Sequence, residues 1–346
     1  MKYLGNWSSH PGAFWICEFL EGLKPGKLPA LKRSCAVVLC LSLLAGCSIN
    51  KMATKAVADA LTGTGSSTVF TSDPDPRLVG DALPFAIKIY EALLDMQPDH
   101  EGLIVTTGSL FVMYANAFVQ GPAELLPSEK LAERQEGINR AKKLYLRGVD
   151  ILSGGLEKKY PGILEARQNG TMDKYLKKIK KADVPHIYWL VAGTLSAYAI
   201  NPMDVSLGIK LPELTALINR AYELDENFNE GALDDFFVLF HASVPPSMGG
   251  DKSKVDAHFR KALEKSKGLS AGPYVSYAQA VCIPAQDYKT FKEYLEVAVA
   301  LDPEANPGNR LVNIISQRKA RYLLERAPYY FIDTGEDNGW DEWETE

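Results

Sequence analysis

The sequence specifies an all-α protein of stacked helical hairpins, arranged as a degenerate repeat superhelix. Three observations carry this reading. Alternating β-branched runs, the mark of strands, are absent beyond Asp73. Apolar residues recur instead at the spacing of one helix face. Proline and glycine pairs cut the chain into pieces of helix length. The body opens at "DPDP", Asp73 to Pro76. The first stripe is Leu83, Ile87, Tyr90 and Leu94, and it stops at Pro98. Leu103, Leu110, Tyr114 and Phe118 make the second, which stops at Gly121-Pro122. Ile138, Leu144, Tyr145 and Val149 make the third, before Gly154-Gly155. "HIYWLVAG" follows Pro185, and the longest irregular interruptions are Asn201 to Pro212 and Val244 to Gly250. Pro284, Pro303 and Pro307 punctuate the last helices.

Upstream of the body the chain reads differently. Lys32 and Arg33 precede a short apolar run from Ser34 to about Ala45 that ends in "LSLLAGC". A basic start, a short apolar core and small residues make a secretory signal. A membrane span needs roughly 20 apolar residues, so this core is too short to remain as one. Leu44-Ala45-Gly46-Cys47 resembles a bacterial lipobox, which implies cleavage before Cys47 and acyl chains on its sulfur and new amino end. Residues 1–46 are therefore read as a signal peptide. Residues 47–72, small and polar with Gly63, Gly65, Ser66 and Ser67, are read as a lipidated flexible tether holding a short helix at Met52 to Leu61. Residues 73–332 are the helical domain, and residues 333–346 are an acidic, disordered tail.

Bulk composition excludes several classes. The formal charge moves from −5 to −8 once the leader's five bases and two acids are gone. Seven acids, from Asp333 to Glu346, crowd the tail with no base among them. A chain with no basic stripe has no nucleic-acid partner. Of the five cysteines, Cys17, Cys35 and Cys40 leave with the leader, Cys47 carries lipid, and Cys282 stands alone. An exported chain with one thiol has neither disulfide nor thiolate cluster, so packing must hold it together.

Internal spacing supports the repeat. The second helix of a tetratricopeptide repeat sets small and bulky residues in a fixed order, ending in Leu and Pro. "FKEYLEVAVALDP" follows it with Phe291, Leu295, Ala298, Leu301 and Pro303. Leu214, Ile218, Ala221 and Leu224 make a second copy, while Val255, Phe259 and Ala262 make a partial third. Ala86, Tyr90, Leu93 and Pro98 fit again, as do Ala141, Tyr145 and Gly148. "WLVAG" offers Trp189, Ala192 and Gly193 for a first helix. The small positions let paired helices approach, and the bulky ones fill the seams.

From Asp73 to Tyr330 the chain resembles the tetratricopeptide-type T-component lipoproteins associated with TRAP transporters. The residues that carry the likeness are the lipobox at Cys47, "DPRLVGDALPFAIKIYEALL" and "MYANAFVQ". "HIYWLVAG", "SMGGDKSKVDAHFRKAL" and the final "ALDP" add to it. The resemblance implies a periplasmic helical protein working beside a solute-binding protein that delivers ligand to a permease. Ser48 after the lipidated cysteine leans towards the outer membrane.

No catalytic constellation is visible. His100, His186, His241 and His258 lie far apart, and no HExxH, GxSxG or P-loop pattern occurs. "DHEG" at Asp99 to Gly102 reads as a helix start. Asp234 and Asp235 are neighbours that point about 100° apart on a helix, so they read as solvated or capping groups. We therefore expect no enzyme, no metal and no cofactor. If Trp189 packs between helices, Ile187, Leu190 and Tyr198 point into the concave face. The same offset selects Phe237 and Phe240, while Phe111 and Tyr114 crowd an earlier helix. Such an apolar set either meets a ligand or partner, or is buried by a non-ideal superhelix or a homo-oligomer contact. "VPPSMGGD", Val244 to Asp251, is a second candidate or a plain connecting loop, with Asp251 capping the next helix. The expected function is an adaptor that binds a TRAP-type solute-binding protein and an apolar or carboxylate ligand. The alternative is an envelope scaffold that assembles proteins without a ligand.

Overall fold

The computed structural model describes residues 51–63, 65 and 68–334. The leader, Cys47 and all of the acidic tail beyond Thr334 lie outside the described residues. The chain divides at residues 53 and 54, and the body is the unit from Thr54 onward. Its described residues are helical without a strand, as expected.

We number the helices of six residues or more. Residues 51–62 are helical, and α1 denotes the part within the body, residues 54–62. Pro76–Met96 form α2, Glu101–Tyr114 α3, Leu131–Lys159 α4 and Ile163–Gln168 α5. Val184–Ile200 form α6, Leu211–Leu224 α7, Ala232–Ser243 α8 and Val255–Lys265 α9. Gly272–Tyr277 form α10, Tyr288–Ala300 α11 and Arg310–Glu325 α12.

The starts follow capping chemistry. The first turn of a helix has free N–H groups that a side-chain acceptor can satisfy. Asp75 accepts from the amides of Arg77 and Leu78, with Pro76 at the first position. His100 begins α3 by accepting the Leu103 amide on Nδ1 at 3.1 Å, so "DHEG" is a helix start. Asp287 accepts from the Thr290 amide at 3.1 Å.

Consecutive helices pack on one another: α2 on α3, α3 on α4, α4 on α6, α6 on α7, α8 on α9 and α11 on α12. Small residues sit where helices meet, and Ala141, Ala221, Ala262 and Ala298 are all buried. At Gly148 a Cβ would stand 2.7 Å from the Gly108 carbonyl, so α3 and α4 touch backbone to backbone there. Two helices share a local device. From Tyr114-Ala115-Asn116-Ala117, α3 widens into a π-helical segment, Ala115–Gln120, before Pro122. From Tyr277-Ala278-Gln279-Ala280, α10 does the same over Ala278–Cys282, before Pro284. In each, the π-turn ends two residues before the proline.

The segment read as a flexible tether is not loose over α1. Ala58 is buried against α2. The Tyr90 hydroxyl donates to the Leu61 carbonyl at 2.9 Å, and the Gln97 amide donates to the Thr54 hydroxyl at 2.7 Å. His100 Nε2 lies 2.9 Å from Asp59. The helix expected at Met52 to Leu61 is thus part of the packed body from Thr54 on. Its small residues are what allow it to lie close on α2.

The last helix returns to the first ones. Leu311 joins the core of α2 and α3. Arg310 donates to the Ser72 carbonyl at 2.8 Å. Tyr322 donates to the Glu124 carbonyl at 3.3 Å, and Lys319 lies 3.4 Å from the Glu124 carboxylate.

Candidate functional site

The structure sorts the seven apolar candidates into two groups. Phe111, Ile187, Leu190, Phe237 and Phe240 are interior, none more than 3 % exposed. Ile187, Leu190, Phe237 and Phe240 belong to the largest core cluster. Phe240 stacks on Phe236 at 5.9 Å and meets Phe237 edge-on at 6.1 Å. Phe111 belongs to the core of α2 and α3, and the Arg147 guanidinium covers its ring at 4.8 Å. Of the two readings of this set, open groove or burial, these five residues follow burial. The physical reason is the number of neighbours: α6 packs on α3, α4 and α7, and α8 packs on α9 and α10. A helix enclosed on several sides keeps no apolar face for solvent.

Tyr114 and Tyr198 are half-buried at the edge of one core cluster. Both flank the same small cluster, which includes Val112, Ala115, Val119, Tyr145 and Ala197. Tyr114 stacks on Phe118 at 6.0 Å, and the Arg140 guanidinium sits over its ring at 5.8 Å. Phe118 in turn lies where a Cβ on Gly80 would be, 2.7 Å away, so α2 holds it from behind. Tyr198 donates to the Met248 sulfur at 4.0 Å. Met248 belongs to the "VPPSMGGD" loop, whose Gly249 turns at φ 101°. That loop is a packed connector: Thr215 donates to the Met248 carbonyl at 3.4 Å, and Asp251 accepts the Ser253 amide at 3.1 Å.

Polar groups frame this aromatic edge. Ala132, Gln135, Glu136, Asn139, Arg140 and Lys143 line a shallow, open groove along α4, which meets Tyr114 through Arg140. Lys142 pairs with Asp204 at 2.8 Å. The hydrogen bonds from Lys142 and then Ser206 hold the Asp204 carboxyl down to about 2. Beneath the edge, Tyr145 donates to Gln120 at 2.7 Å, and burial raises its pKa so the phenol stays neutral. The arrangement is a pair of half-buried tyrosines, one of them under Arg140, beside a groove of mixed charge. It can hold an apolar or anionic group, and it presents no nucleophile beside a base.

The sequence reading missed one cluster. Asp234 is fully buried, not solvated. It accepts from the Tyr222 hydroxyl at 2.9 Å, from His258 Nδ1 at 2.7 Å and from Lys265 at 2.7 Å. Burial is the largest influence on its carboxyl and pushes the pKa up. The hydrogen bonds from His258, Lys265 and Tyr222 outweigh it and leave the pKa below the usual range. His258 and Lys265, seven residues apart on one face of α9, were the available signal. Asp235 does point elsewhere: its Oδ2 lies 3.4 Å from where a Cβ on Gly272 of α10 would stand. Asp234 thus fastens α8 to α9, and the pair does no shared acid–base work.

Residues 72–331 match the family of TRAP transporter T-components. The chain belongs to that family. It is also similar to a protein of Treponema pallidum (strain Nichols) described only as uncharacterized. The two are 33 % identical over 322 residues, which is 89 % of this chain and 100 % of the relative. The resemblance read from the sequence is right at family level. A TRAP transporter T-component belongs to the bacterial envelope and to the transporter-associated components, a class that is not one of enzymes.

Proposed function

We propose that this T-component is a periplasmic adaptor, lipid-anchored through Cys47, that binds the solute-binding protein of a TRAP transporter at the Tyr114–Tyr198 edge. In this reading residues 1–46 are removed and residues 47–53 link the lipid to the helical body. The outer membrane holds the lipid, and the acidic tail stays outside the folded unit. The observation that carries the proposal is the half-buried aromatic pair with Arg140 against Tyr114. Aromatic anchors with arginine dominate protein interfaces, and a guanidinium also suits a carboxylate. An apolar or amphipathic carboxylate passing between the two proteins would meet both features there.

The test is binding of the full chain to a TRAP-type solute-binding protein of the same organism. Tyr114→Ala should weaken binding about 5- to 150-fold, the equivalent of roughly 1–3 kcal/mol at a central anchor. Unchanged affinity for both Tyr114→Ala and Tyr198→Ala would remove this edge as the docking site. Native mass spectrometry of the complex separates an adaptor that holds a ligand from a scaffold that holds none. Cys47→Ser should release the protein to the soluble fraction or leave it as the unprocessed precursor, and a processed variant that fractionates normally with the membrane would remove the anchor.

A further inference from the structure

Helix α2 has two apolar faces. One is core and carries Val79, Leu83, Ile87 and Tyr90. The other carries Leu78, Phe85, Ile89 and Met96, which are 59, 72, 42 and 54 % exposed. At 100° per residue, offsets of 7, 11 and 18 fall within about 20° of one line, so these four form one straight stripe about 27 Å long. Exposed polar groups, Arg77, Asp81 and Lys88, run along one side of it. Large apolar side chains aligned in this way rarely face water without an occupant.

Two observations choose the occupant. The first is chain length. Thr54 accepts from Gln97 at 2.7 Å, which fixes the start of α1 beside the Met96 end of the stripe. Cys47 precedes Thr54 by seven residues, a reach of at most about 25 Å. A lipid on Cys47 must therefore enter its bilayer close to that end. The second is composition. A helix with one uncharged Leu/Phe/Ile/Met line and a charged flank is suited to lie in the plane of a lipid headgroup layer. On α1 the exposed Val57 and Leu61, one turn apart, add a second short apolar strip.

We infer that α2 lies flat on the membrane that holds the Cys47 lipid, with Leu78, Phe85, Ile89 and Met96 at the headgroup–acyl boundary. The inference rests on the anchor proposed above and adds an orientation to it. An acyl anchor alone would let the body swivel, whereas an embedded helix fixes which way the Tyr114–Tyr198 edge faces.

The test uses the lipidated full chain in vesicles of phosphatidylethanolamine and phosphatidylglycerol. A nitroxide is placed at Phe85→Cys, at Ile89→Cys and, as a control, at Met203→Cys, which is 86 % exposed. Cys282 is buried and does not compete for label. Collision with oxygen relative to a nickel chelate should be several-fold higher at positions 85 and 89 than at 203. Equal ratios at all three sites in an anchored protein overturn the inference. Shielding of 85 and 89 from both reagents, with dipolar broadening between labels, assigns the stripe to a second copy and also overturns it. Failure of the anchor shows separately, as an N-terminal peptide of the native protein that carries no acyl mass on Cys47.

Discussion

Helix α8 carries two ionisable groups whose responses to pH oppose each other. Burial pushes the Asp235 carboxyl up to about 6, against roughly 3.9 in an unfolded chain. Burial, and then the neighbouring His258 charge, hold His241 down to about 4, against roughly 6.5 unfolded. Between pH 4 and 6 the native Asp235 keeps a proton that the unfolded one has lost, so its contribution to stability falls as pH rises. Between pH 4 and 6.5 the unfolded His241 holds a proton that the native one lacks, so its contribution rises with pH. At 1.36 kcal/mol per pH unit, the gaps between these folded and unfolded values amount to about 3 kcal/mol each. The wild type therefore hides both slopes. Asp235→Asn should gain about 3 kcal/mol on the wild type as pH goes from 4 to 6, and His241→Gln should lose about as much. Urea unfolding at half-unit pH steps measures both. A constant offset reports altered packing, while the slope reports charge. Variant curves that run parallel to the wild type across the whole window refute the reasoning.

Three further outcomes follow from packing. Phe240→Ala should cost about 3–5 kcal/mol in calorimetry, because Phe240 is 2 % exposed, while Leu239→Ala, at 40 % exposure, should cost less than about 1 kcal/mol. Gly148→Ala should destabilise by about 1–3 kcal/mol by forcing a Cβ onto the Gly108 carbonyl; Gly154→Ala, with nothing within 4 Å, should stabilise by up to about 1 kcal/mol. Reversed signs for that pair would show that α3 and α4 are not in backbone contact. Asp234→Ala should cost about 3–5 kcal/mol, since it strands the Lys265 and His258 donors; a loss below about 1 kcal/mol in urea would show that the cluster is dispensable.

The helices were legible because their signals are local. Asp-Pro at Asp75 and the turn after Pro98 each lie within three residues of the amides they serve. The buried alanines were legible because spacing along one helix marks the face that meets a neighbour. What spacing cannot mark is how many neighbours a helix has. Phe237 and Phe240 sit on the predicted apolar face, yet α9 and α10 cover α8 from other sides, and a groove residue became a core residue. Asp234 was missed because its partners are 12, 24 and 31 residues away. The docking of α1 was missed because small residues suit both a loose linker and a close helix contact. Ala58 and Thr54 decide between these only once α2 is in place.

The return of α12 to the first helices has a consequence for how the chain is completed. An open stack of hairpins can settle one unit at a time as it is synthesised, since each unit needs only the one before it. Here Arg310 reaches Ser72, 238 residues upstream, and Leu311 fills part of the core of α2 and α3. Those first helices therefore keep an unfilled gap until nearly the whole chain has been delivered. A nascent chain stalled before residue 310 holds apolar surface open to chaperones and proteases, however well its middle hairpins have formed. Shortening the protein from its C-terminal end should thus loosen its N-terminal end, and quality control would meet the damage far from the cut.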